Sequence, residues 1–116
     1  MENIIVRRKT FNTINEIFKV SIDFPIIAGP CSIENFEQLD NIAQSMSKLG
    51  VKFIRGGAFK PRTSPYTFQG IGLEGLKMMN IIKNKYNMIT VSEIIDIRDI
   101  ELGMQFIDLI QVGSRN

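Results

Sequence analysis

The side chains best suited to chemistry lie in one cationic segment, residues 55–72. Its sequence is RGGAFKPRTSPYTFQGIG, and within five residues it presents two cations and two hydroxyls, namely Lys60, Arg62, Thr63 and Ser64. Arg55 adds a second guanidinium group at the start of the segment. Guanidinium, ammonium and hydroxyl groups together offer many hydrogen-bond donors, an arrangement that suits phosphate or carboxylate groups. The segment therefore predicts a site for an anionic ligand.

The prolines and aromatic residues of this segment indicate an ordered loop. Pro61 and Pro65 bracket the polar cluster and fix the backbone angle φ on each side of it. Loops of this length inside a compact domain are usually functional or disordered. A solvated basic loop is the alternative interpretation. It is the weaker one, because Tyr66, Phe68 and the prolines are interleaved with the polar residues.

Three further residues are candidates for a site, and each also has a plainer interpretation. Cys31 could be a metal ligand or a nucleophile as a thiolate, but its spacing alone favours a small buried side chain. Glu93 could be a general base, although holding a neighbouring group in place or pairing with a nearby cation is favoured. Arg115 suits a phosphate or carboxylate, and its alternative is a solvated residue next to the chain end.

Hydrophobic periodicity predicts three strand–helix pairs followed by a fourth strand. The predicted strands are 24–28, 51–54, 88–94 and 107–112. The first predicted helix is capped by Asn35 and ended by Gly50, and the second spans 73–86. The third predicted helix is short and runs from Asp96 or Asp99 to Gln105. This alternation predicts an α/β fold, a parallel sheet with right-handed crossovers. Each candidate residue follows the carboxyl end of a strand, the edge where ligands bind in parallel α/β folds.

Residues 1–24 precede the first predicted strand and form an N-terminal extension. Short strands are predicted at Ile4–Arg8 and Phe18–Ile22, with Asn12–Asn15 between them. The expected structure is a hairpin, or a strand–turn–helix unit, packed beneath the main domain. The extension is too short to fold alone, so the predicted division of the chain is 1–24 and 25–116.

Composition restricts the class of protein. The 116 residues allow one domain at most, and a net charge of +2 without a long basic run does not indicate nucleic-acid binding. No apolar run reaches the roughly 18 residues of a transmembrane helix, and the N-terminus lacks the apolar stretch of a signal peptide. One cysteine indicates a reducing, cytoplasmic setting. The absence of histidine removes the commonest general base and metal ligand.

Four stretches of the sequence resemble one enzyme family. They are IIAGPCSIEN at 26–35, the cationic segment at 55–72, TVSEIID at 90–96 and DLIQVGSRN at 108–116. Together they resemble the 3-deoxy-D-arabino-heptulosonate 7-phosphate (DAHP) synthases, in the compact form of the first class that is often called Iβ. The related 3-deoxy-octulosonate 8-phosphate synthases share AGPC but differ in the loop that here carries KPRTSP.

The resemblance implies a (β/α)8 barrel that condenses phosphoenolpyruvate with erythrose 4-phosphate. This reaction is the entry step of the shikimate pathway to chorismate and the aromatic amino acids. The residues implied for phosphoenolpyruvate are Arg55, Lys60 and Arg115, and those implied for the phosphate of erythrose 4-phosphate are Arg62, Thr63 and Ser64. The implied catalytic candidates are Lys60 and Glu93, with Glu93 holding neighbouring groups in place. Cys31 would be one of four ligands to a divalent metal, which is Mn, Fe, Co or Zn.

The chain lacks residues that the family uses. The other implied metal ligands are a histidine, a glutamate and an aspartate from late strands, and a typical barrel needs about 250 residues. We therefore expect residues 25–116 to form the N-terminal half of the barrel, with four parallel strands and three helices, truncated after the fourth strand. Such a half would be inactive alone. The short extension leaves no room for a regulatory domain, and the full enzyme is expected to be a homo-oligomer without nucleic-acid or membrane partners.

Two other hypotheses remain open. The chain could be a non-catalytic half-barrel module that binds phosphorylated metabolites or an intact barrel. It could also be a 3-deoxy-octulosonate 8-phosphate synthase, which the Lys60-Pro61-Arg62-Thr63 run disfavours. The DNA beyond the codon for Asn116 distinguishes the non-catalytic module from half of an enzyme. Only half of an enzyme requires that the late-strand metal ligands are encoded nearby.

The two outer strands of a half barrel would be open edges, and this gives a first prediction. Unpaired strand edges with apolar faces favour association. The isolated 116-residue chain is therefore expected to be marginally stable, to aggregate or to pair with another half. Sedimentation velocity and hydrogen exchange measure this, and a stable, well-protected monomer would count against it.

Overall fold

The computed structural model of the chain describes residues 13–20, 24–59 and 71–114. In chain order the elements are α1 (Ile14–Phe18), β1 (Ile27–Ala28), α2 (Phe36–Lys48), β2 (Phe53–Arg55), α3 (Leu73–Tyr86), β3 (Ile89–Glu93), a 3-10 helix (Ile97–Asp99), α4 (Ile100–Gly103) and β4 (Leu109–Gln111). The strands form one sheet in the order β1-β2-β3-β4. Every neighbouring pair is parallel. The predicted α/β fold with sequential parallel strands is confirmed.

Local sequence sets the ends of α2 as predicted. The side chain of Asn35 caps the helix by accepting a hydrogen bond of 2.8 Å from the backbone N–H of Gln38. The Gln38 side chain accepts from the N–H of Glu34 at 2.9 Å, one residue before the position that a reciprocal capping box would use. Gly50 follows the helix with φ at +78°, where a residue without Cβ is favoured.

Helix α3 begins and ends at the residues that the sequence predicts, Leu73 and Tyr86. Asn87 ends it in the left-handed conformation, with φ at +53°, and donates its N–H to the carbonyl of Lys83. Asparagine tolerates this conformation better than most residues. Two lysines lie in the last turn, where the helix dipole favours positive charge.

The hydrophobic core lies between the sheet and the helices α2 and α3. Its buried members are Ile33, Leu39, Ala43, Met46, Ile54, Ala58, Leu76, Met79, Ile82, Met88, Ile94 and Ile107. The sequence assigns Leu39, Met46 and Leu49 to core packing, and this is confirmed for Leu39 and Met46. It is wrong for Leu49, which is 80% exposed because it lies at the C-cap, after the last turn of α2. Burial of each core side chain contributes about 1.5–3 kcal/mol, so the contact of α2 and α3 with the sheet is the main stabilising layer.

Strand β1 is shorter and more exposed than predicted. The sequence predicts a buried strand from Phe24 to Ala28, but the strand comprises only Ile27–Ala28, and Phe24 is 82% exposed. The physical reason is pairing, because in the described sheet β1 has a neighbour on one side only. A continuous apolar run predicts burial only where both sides of the strand are covered.

The third predicted helix is shorter than expected. It consists of a 3-10 turn followed by α4, which ends at Gly103 instead of Gln105. Asp96 caps the turn by accepting from the N–H of Arg98 at 2.9 Å, whereas Asp99 makes no such bond. A Cβ on Gly103 would lie 2.8 Å from the Ile94 side chain, so α4 packs too closely on the end of β3 for a larger residue.

The part of the N-terminal extension that the structure describes contains a helix. The second strand predicted there, Phe18–Ile22, is wrong over residues 18–20, because Phe18 ends α1 and Lys19 has φ at +53°. The Phe18 ring packs edge-on against Phe53 of β2, with ring centroids 6.2 Å apart. The three helices predicted for the half barrel are present as α2, α3 and α4, and α1 is a further helix in the extension, where a strand–turn–helix unit was one of the two expected structures. The other predicted strand, Ile4–Arg8, lies outside the described residues.

The amino-terminal edge of the sheet is held together by one carboxylate. Asp108, just before β4, accepts from the backbone N–H of Thr90 at 2.9 Å and from its hydroxyl at 3.2 Å. The ammonium of Lys83 on α3 also donates to Asp108. Thr90 is completely buried, so this network fixes the register of β3 and β4 at the edge opposite the predicted site.

The pairing of Asp96 with Arg98 gives a pH-dependent prediction. Hydrogen bonds from the side chain and backbone of Arg98 lower the pKa of Asp96 from 3.8 to about 2. Because the folded-state pKa is the lower one, the stabilisation is complete above the unfolded pKa and is lost as pH falls through the folded pKa. Carboxyl carbon NMR should show Asp96 titrating near 2. Arg98→Gln should raise that midpoint, and Lys77→Gln should leave it unchanged. A midpoint near 3.8 in the unmodified chain would contradict the pairing.

Candidate functional site

Three of the predicted site residues lie along the carboxyl-terminal edge of the sheet. Cys31 follows β1, Arg55 is the last residue of β2, and Glu93 is the last residue of β3. Arg55 is in register with Val91, two residues before Glu93. Side chains alternate between the two faces of a strand, so Arg55 and Glu93 share one face. The face that carries Arg55 and Glu93 is opposite the face that carries Ile54, whose side chain packs in the helix-covered core.

Close contact between β1 and β2 brings Cys31 next to Arg55. The guanidinium Nη1 of Arg55 donates to the carbonyl of Pro30 at 2.8 Å, and Pro30 directly precedes Cys31. Gly29 has φ at +151°, and a Cβ there would lie 1.8 Å from the carbonyl oxygen of Arg55. Only glycine allows this approach, so Gly29 lets the backbone just before Cys31 contact both the carbonyl and the guanidinium of Arg55.

Cys31 corrects an expectation from its spacing. The local sequence favoured a small buried side chain, but Cys31 is exposed. The reason is that β1 ends at Ala28 and the chain then leaves the sheet at its edge. Exposure at this edge makes the sulfur accessible to a ligand or metal ion.

The cationic segment leaves and rejoins the fold at a fixed base. Three successive backbone carbonyls each accept one hydrogen bond. The Gly56 carbonyl accepts from the Ser92 hydroxyl at 2.7 Å. The Gly57 carbonyl accepts from the N–H of Ile33, and the Ala58 carbonyl from the N–H of Gly72, both at 2.9 Å. The last bond brings Ala58 and Gly72, at the two ends of the segment, next to each other at the edge that carries Arg55.

The remaining predicted site residues lie outside the part of the chain that the structure describes. They are Lys60, Arg62, Thr63 and Ser64 in the loop, and Arg115 after β4. The structure therefore locates the two ends of the loop, and the predicted roles of these five residues stay predictions.

Strand β3 carries buried polar residues that sequence analysis did not select. They are Thr90 and Ser92, which are completely buried, whereas the third buried polar residue of the strand, Glu93, was predicted. Gly29 and the Pro30 carbonyl were likewise not identified as residues that position Arg55. The sequence did contain a signal for the buried residues, because polar side chains recur within a predicted strand that is rich in β-branched residues. Polar groups buried in such a strand require hydrogen-bonding partners.

The described residues do not form a metal centre by themselves. In 13–20, 24–59 and 71–114 no three His, Cys, Asp or Glu side chains come together in a way that could hold an ion. The Ser32 hydroxyl oxygen, next to Cys31, is buried without a hydrogen-bond partner in the described structure. Cys31 thus fits as one soft ligand, and any complete coordination sphere needs donors beyond the described residues.

Comparison with known proteins identifies relatives of the chain. The model of the DAHP synthetase I family matches residues 6–116. A phospho-2-dehydro-3-deoxyheptonate aldolase of Thermotoga maritima is 50% identical over 93 residues, which cover 80% of this chain and 28% of the relative. A 2-dehydro-3-deoxyphosphooctonate aldolase of Fusobacterium nucleatum is 30% identical over 117 aligned positions, covering 87% of this chain and 42% of the relative.

A solved structure agrees with the sequence matches. The crystal structure of the Thermotoga maritima DAHP synthase superposes with a TM-score of 0.76 and 48% identity, over 80% of this chain and 27% of that one. The chain therefore spans less than a third of the Thermotoga maritima protein. Its four parallel strands correspond to half of a (β/α)8 barrel, as predicted. In the part of the chain that the structure describes, no helix is long and apolar enough to cross a membrane.

The approach of β1 to β2 predicts a specific cost for Gly29→Ala. Its Cβ would collide with a backbone oxygen, so we expect the free energy of unfolding to fall by about 3 kcal/mol. Gly50→Ala is the matched control, because Gly50 also has positive φ but has no atom within 4 Å of the added Cβ. Its cost should be about 1 kcal/mol. Urea denaturation measures both, and equal losses would show that the contact with Arg55 is not limiting.

Proposed function

We propose that this chain, which belongs to the DAHP synthetase I family, supplies half of an active site that condenses phosphoenolpyruvate with D-erythrose 4-phosphate. The protein would then be a transferase of the first step of the shikimate pathway, which leads to the aromatic amino acids. The observation that supports this most is the 50% identity to a phospho-2-dehydro-3-deoxyheptonate aldolase, in a chain that holds Arg55 beside Cys31 at the ligand-binding edge.

The proposed substrate site uses cations to hold two anionic molecules close together. Both substrates carry phosphate, and their approach is unfavourable unless positive groups neutralise them. Arg55, Lys60 and Arg115 would hold phosphoenolpyruvate, and Arg62, Thr63 and Ser64 would hold the erythrose 4-phosphate phosphate. The loop begins at the end of the strand that carries Arg55, and hydrogen bonds fix the backbone at both of its ends.

The proposed reaction forms one carbon–carbon bond and releases phosphate. The methylene carbon of phosphoenolpyruvate attacks the aldehyde carbon of erythrose 4-phosphate, whose oxygen takes up a proton and becomes a hydroxyl. Water adds to the middle carbon of phosphoenolpyruvate, and the bond from that carbon to the phosphate oxygen breaks. Lys60 would stabilise the negative charge that develops on the aldehyde oxygen, and Glu93 would hold neighbouring cations in place.

A divalent metal ion, Mn, Fe, Co or Zn, is part of the proposal. Cys31 would be its ligand from this chain, and the remaining ligands would lie outside it. When bound, the ion would supply Lewis-acid polarisation of the aldehyde or activation of water. A single cysteine and phosphorylated metabolites as substrates also favour a cytoplasmic location. We expect the complete enzyme to be a homo-oligomer without nucleic-acid or membrane partners.

Two alternative functions have specific support. Relatives named 2-dehydro-3-deoxyphosphooctonate aldolase are 30% and 34% identical, so an eight-carbon product is the second candidate. The identity to the Thermotoga maritima protein is higher, which favours the seven-carbon product. Because the chain spans 28% of that protein, a non-catalytic module that binds phosphorylated metabolites is the third candidate.

A chimera with the Thermotoga maritima relative tests the proposal. Residues 24–116 replace the matching segment of that enzyme, which supplies the rest of the barrel. We expect phosphoenolpyruvate, erythrose 4-phosphate and Mn²⁺ to give phosphate release, and the 116-residue chain alone to give none. Loss of a charge-assisted hydrogen bond costs about 1.5–3 kcal/mol. Arg62→Met should therefore raise KM for erythrose 4-phosphate at least tenfold, and the surface control Lys48→Met should not.

The choice of aldose separates the candidate functions. Phosphoenolpyruvate contributes three carbons, so the seven-carbon product requires a four-carbon aldose phosphate and the eight-carbon product a five-carbon one. Preference for a pentose 5-phosphate would overturn the assignment in favour of the octonate. A chimera that unfolds cooperatively yet releases no phosphate with either aldose would support a non-catalytic module.

A further inference from the structure

We propose that Ser92 is a positioning residue whose hydroxyl fixes the first peptide of the cationic loop. The proposal rests on the anion-binding role proposed for that loop. Ser92 does not belong to the predicted set of site residues, and it lies on the face of β3 opposite the face that carries Glu93. It would act on the site through the backbone of residues 56 and 57.

The Ser92 hydroxyl is buried and makes one short, specific contact. It is completely buried and donates to the carbonyl of Gly56 at 2.7 Å. Gly56 directly follows Arg55, and its own N–H donates to the carbonyl of Val91 at 3.0 Å. Strand β3 therefore binds both backbone groups of Gly56. The Val91 carbonyl accepts from its N–H, and the Ser92 hydroxyl donates to its carbonyl.

This contact matters because the chain at this point has little conformational restriction of its own. Gly56 and Gly57 are adjacent glycines, which have wider φ and ψ ranges than other residues. A Cβ at Gly56 would lie 2.8 Å from the Ile33 side chain and 3.0 Å from the Met79 sulfur, so a larger residue, which would restrict the backbone, would require these core side chains to shift. Restriction must come from outside, and the Ser92 hydroxyl supplies it by fixing the direction of the Gly56 carbonyl.

Loss of the hydroxyl would affect the loop more than the fold. A buried carbonyl without a partner is unfavourable, and the peptide after Gly56 would rotate to find another donor. The next two carbonyls, those of Gly57 and Ala58, are bound by Ile33 and Gly72. Rotation would strain both bonds and loosen the base of the loop, while the helix-covered core residues Leu76 and Met79 would remain packed.

Thr90 provides a matched control for a merely structural role. It lies on the same strand and, two residues away, on the same face as Ser92, and it is equally buried. Its hydroxyl contacts Asp108 at the opposite edge of the sheet. A general effect of removing a buried hydroxyl from β3 would appear in both variants, whereas a positioning effect on the loop would appear only at Ser92.

Hydrogen exchange of the folded chimera with the Thermotoga maritima relative tests the proposal directly. In Ser92→Ala the amides of Ile33 and Gly72 should exchange about tenfold faster relative to those inside α3, the change expected for one lost hydrogen bond. Ser92→Thr keeps the hydroxyl and should restore slow exchange. Thr90→Ala should leave Ile33 and Gly72 unchanged and accelerate Asp108. Unchanged exchange at Ile33 and Gly72 in Ser92→Ala, or equal acceleration in Thr90→Ala, would overturn the proposal.

Kinetics of the chimera link the positioning role to ligand binding. Ser92→Ala should raise KM for phosphoenolpyruvate about tenfold with a smaller change in kcat, and Thr90→Ala should leave KM unchanged. An unaltered KM in Ser92→Ala would refute the link. If the unmodified chimera is inactive, the proposed function fails, but the exchange measurement still decides whether Ser92 positions the loop.

Discussion

The close approach of β1 to β2 is the contact on which the candidate site depends. A glycine at position 29 lets the backbone of β1 contact the carbonyl of Arg55, and the carbonyl of Pro30 then accepts from the Arg55 guanidinium. A parallel ladder alone would place the two strand ends about 4.8 Å apart without determining where their side chains lie. The additional hydrogen bond fixes the Arg55 guanidinium against the backbone that directly precedes Cys31.

The two ends of the loop after β2 are fixed by hydrogen bonds from three different elements. Carbonyls at its start are bound by groups from the β1–α2 connection, from β3 and from the start of α3. Each donor comes from an element that is itself held by the core, because Ile33, Ser92 and Leu76 are all buried. The two ends of the loop therefore take their positions from the packing of α2 and α3 on the sheet.

The two edges of the sheet have different roles. At the amino-terminal edge Asp108, Thr90 and Lys83 satisfy each other, which stabilises the register of β3 and β4. At the carboxyl-terminal edge the thiol of Cys31 is exposed and Arg55 is only partly buried. This division is typical of (β/α)8 barrels, whose ligand sites lie at the carboxyl-terminal face and whose opposite face serves stability. It agrees with the family membership of the chain.

Local interactions explain which features could be predicted from the amino-acid sequence. The ends of α3, the Asn35 cap and the glycine after α2 depend on neighbouring residues, and the parallel order follows from the alternation of strands and helices. The shortened β1, the left-handed turn at Lys19 where a strand was predicted, and the exposed Cys31 depend on what lies beside each segment. The contacts of Ser92 and Arg55 join residues 36 and 25 positions apart. Such pairings arise only when the chain folds, because no local pattern specifies which distant carbonyl a buried hydroxyl or a guanidinium will meet.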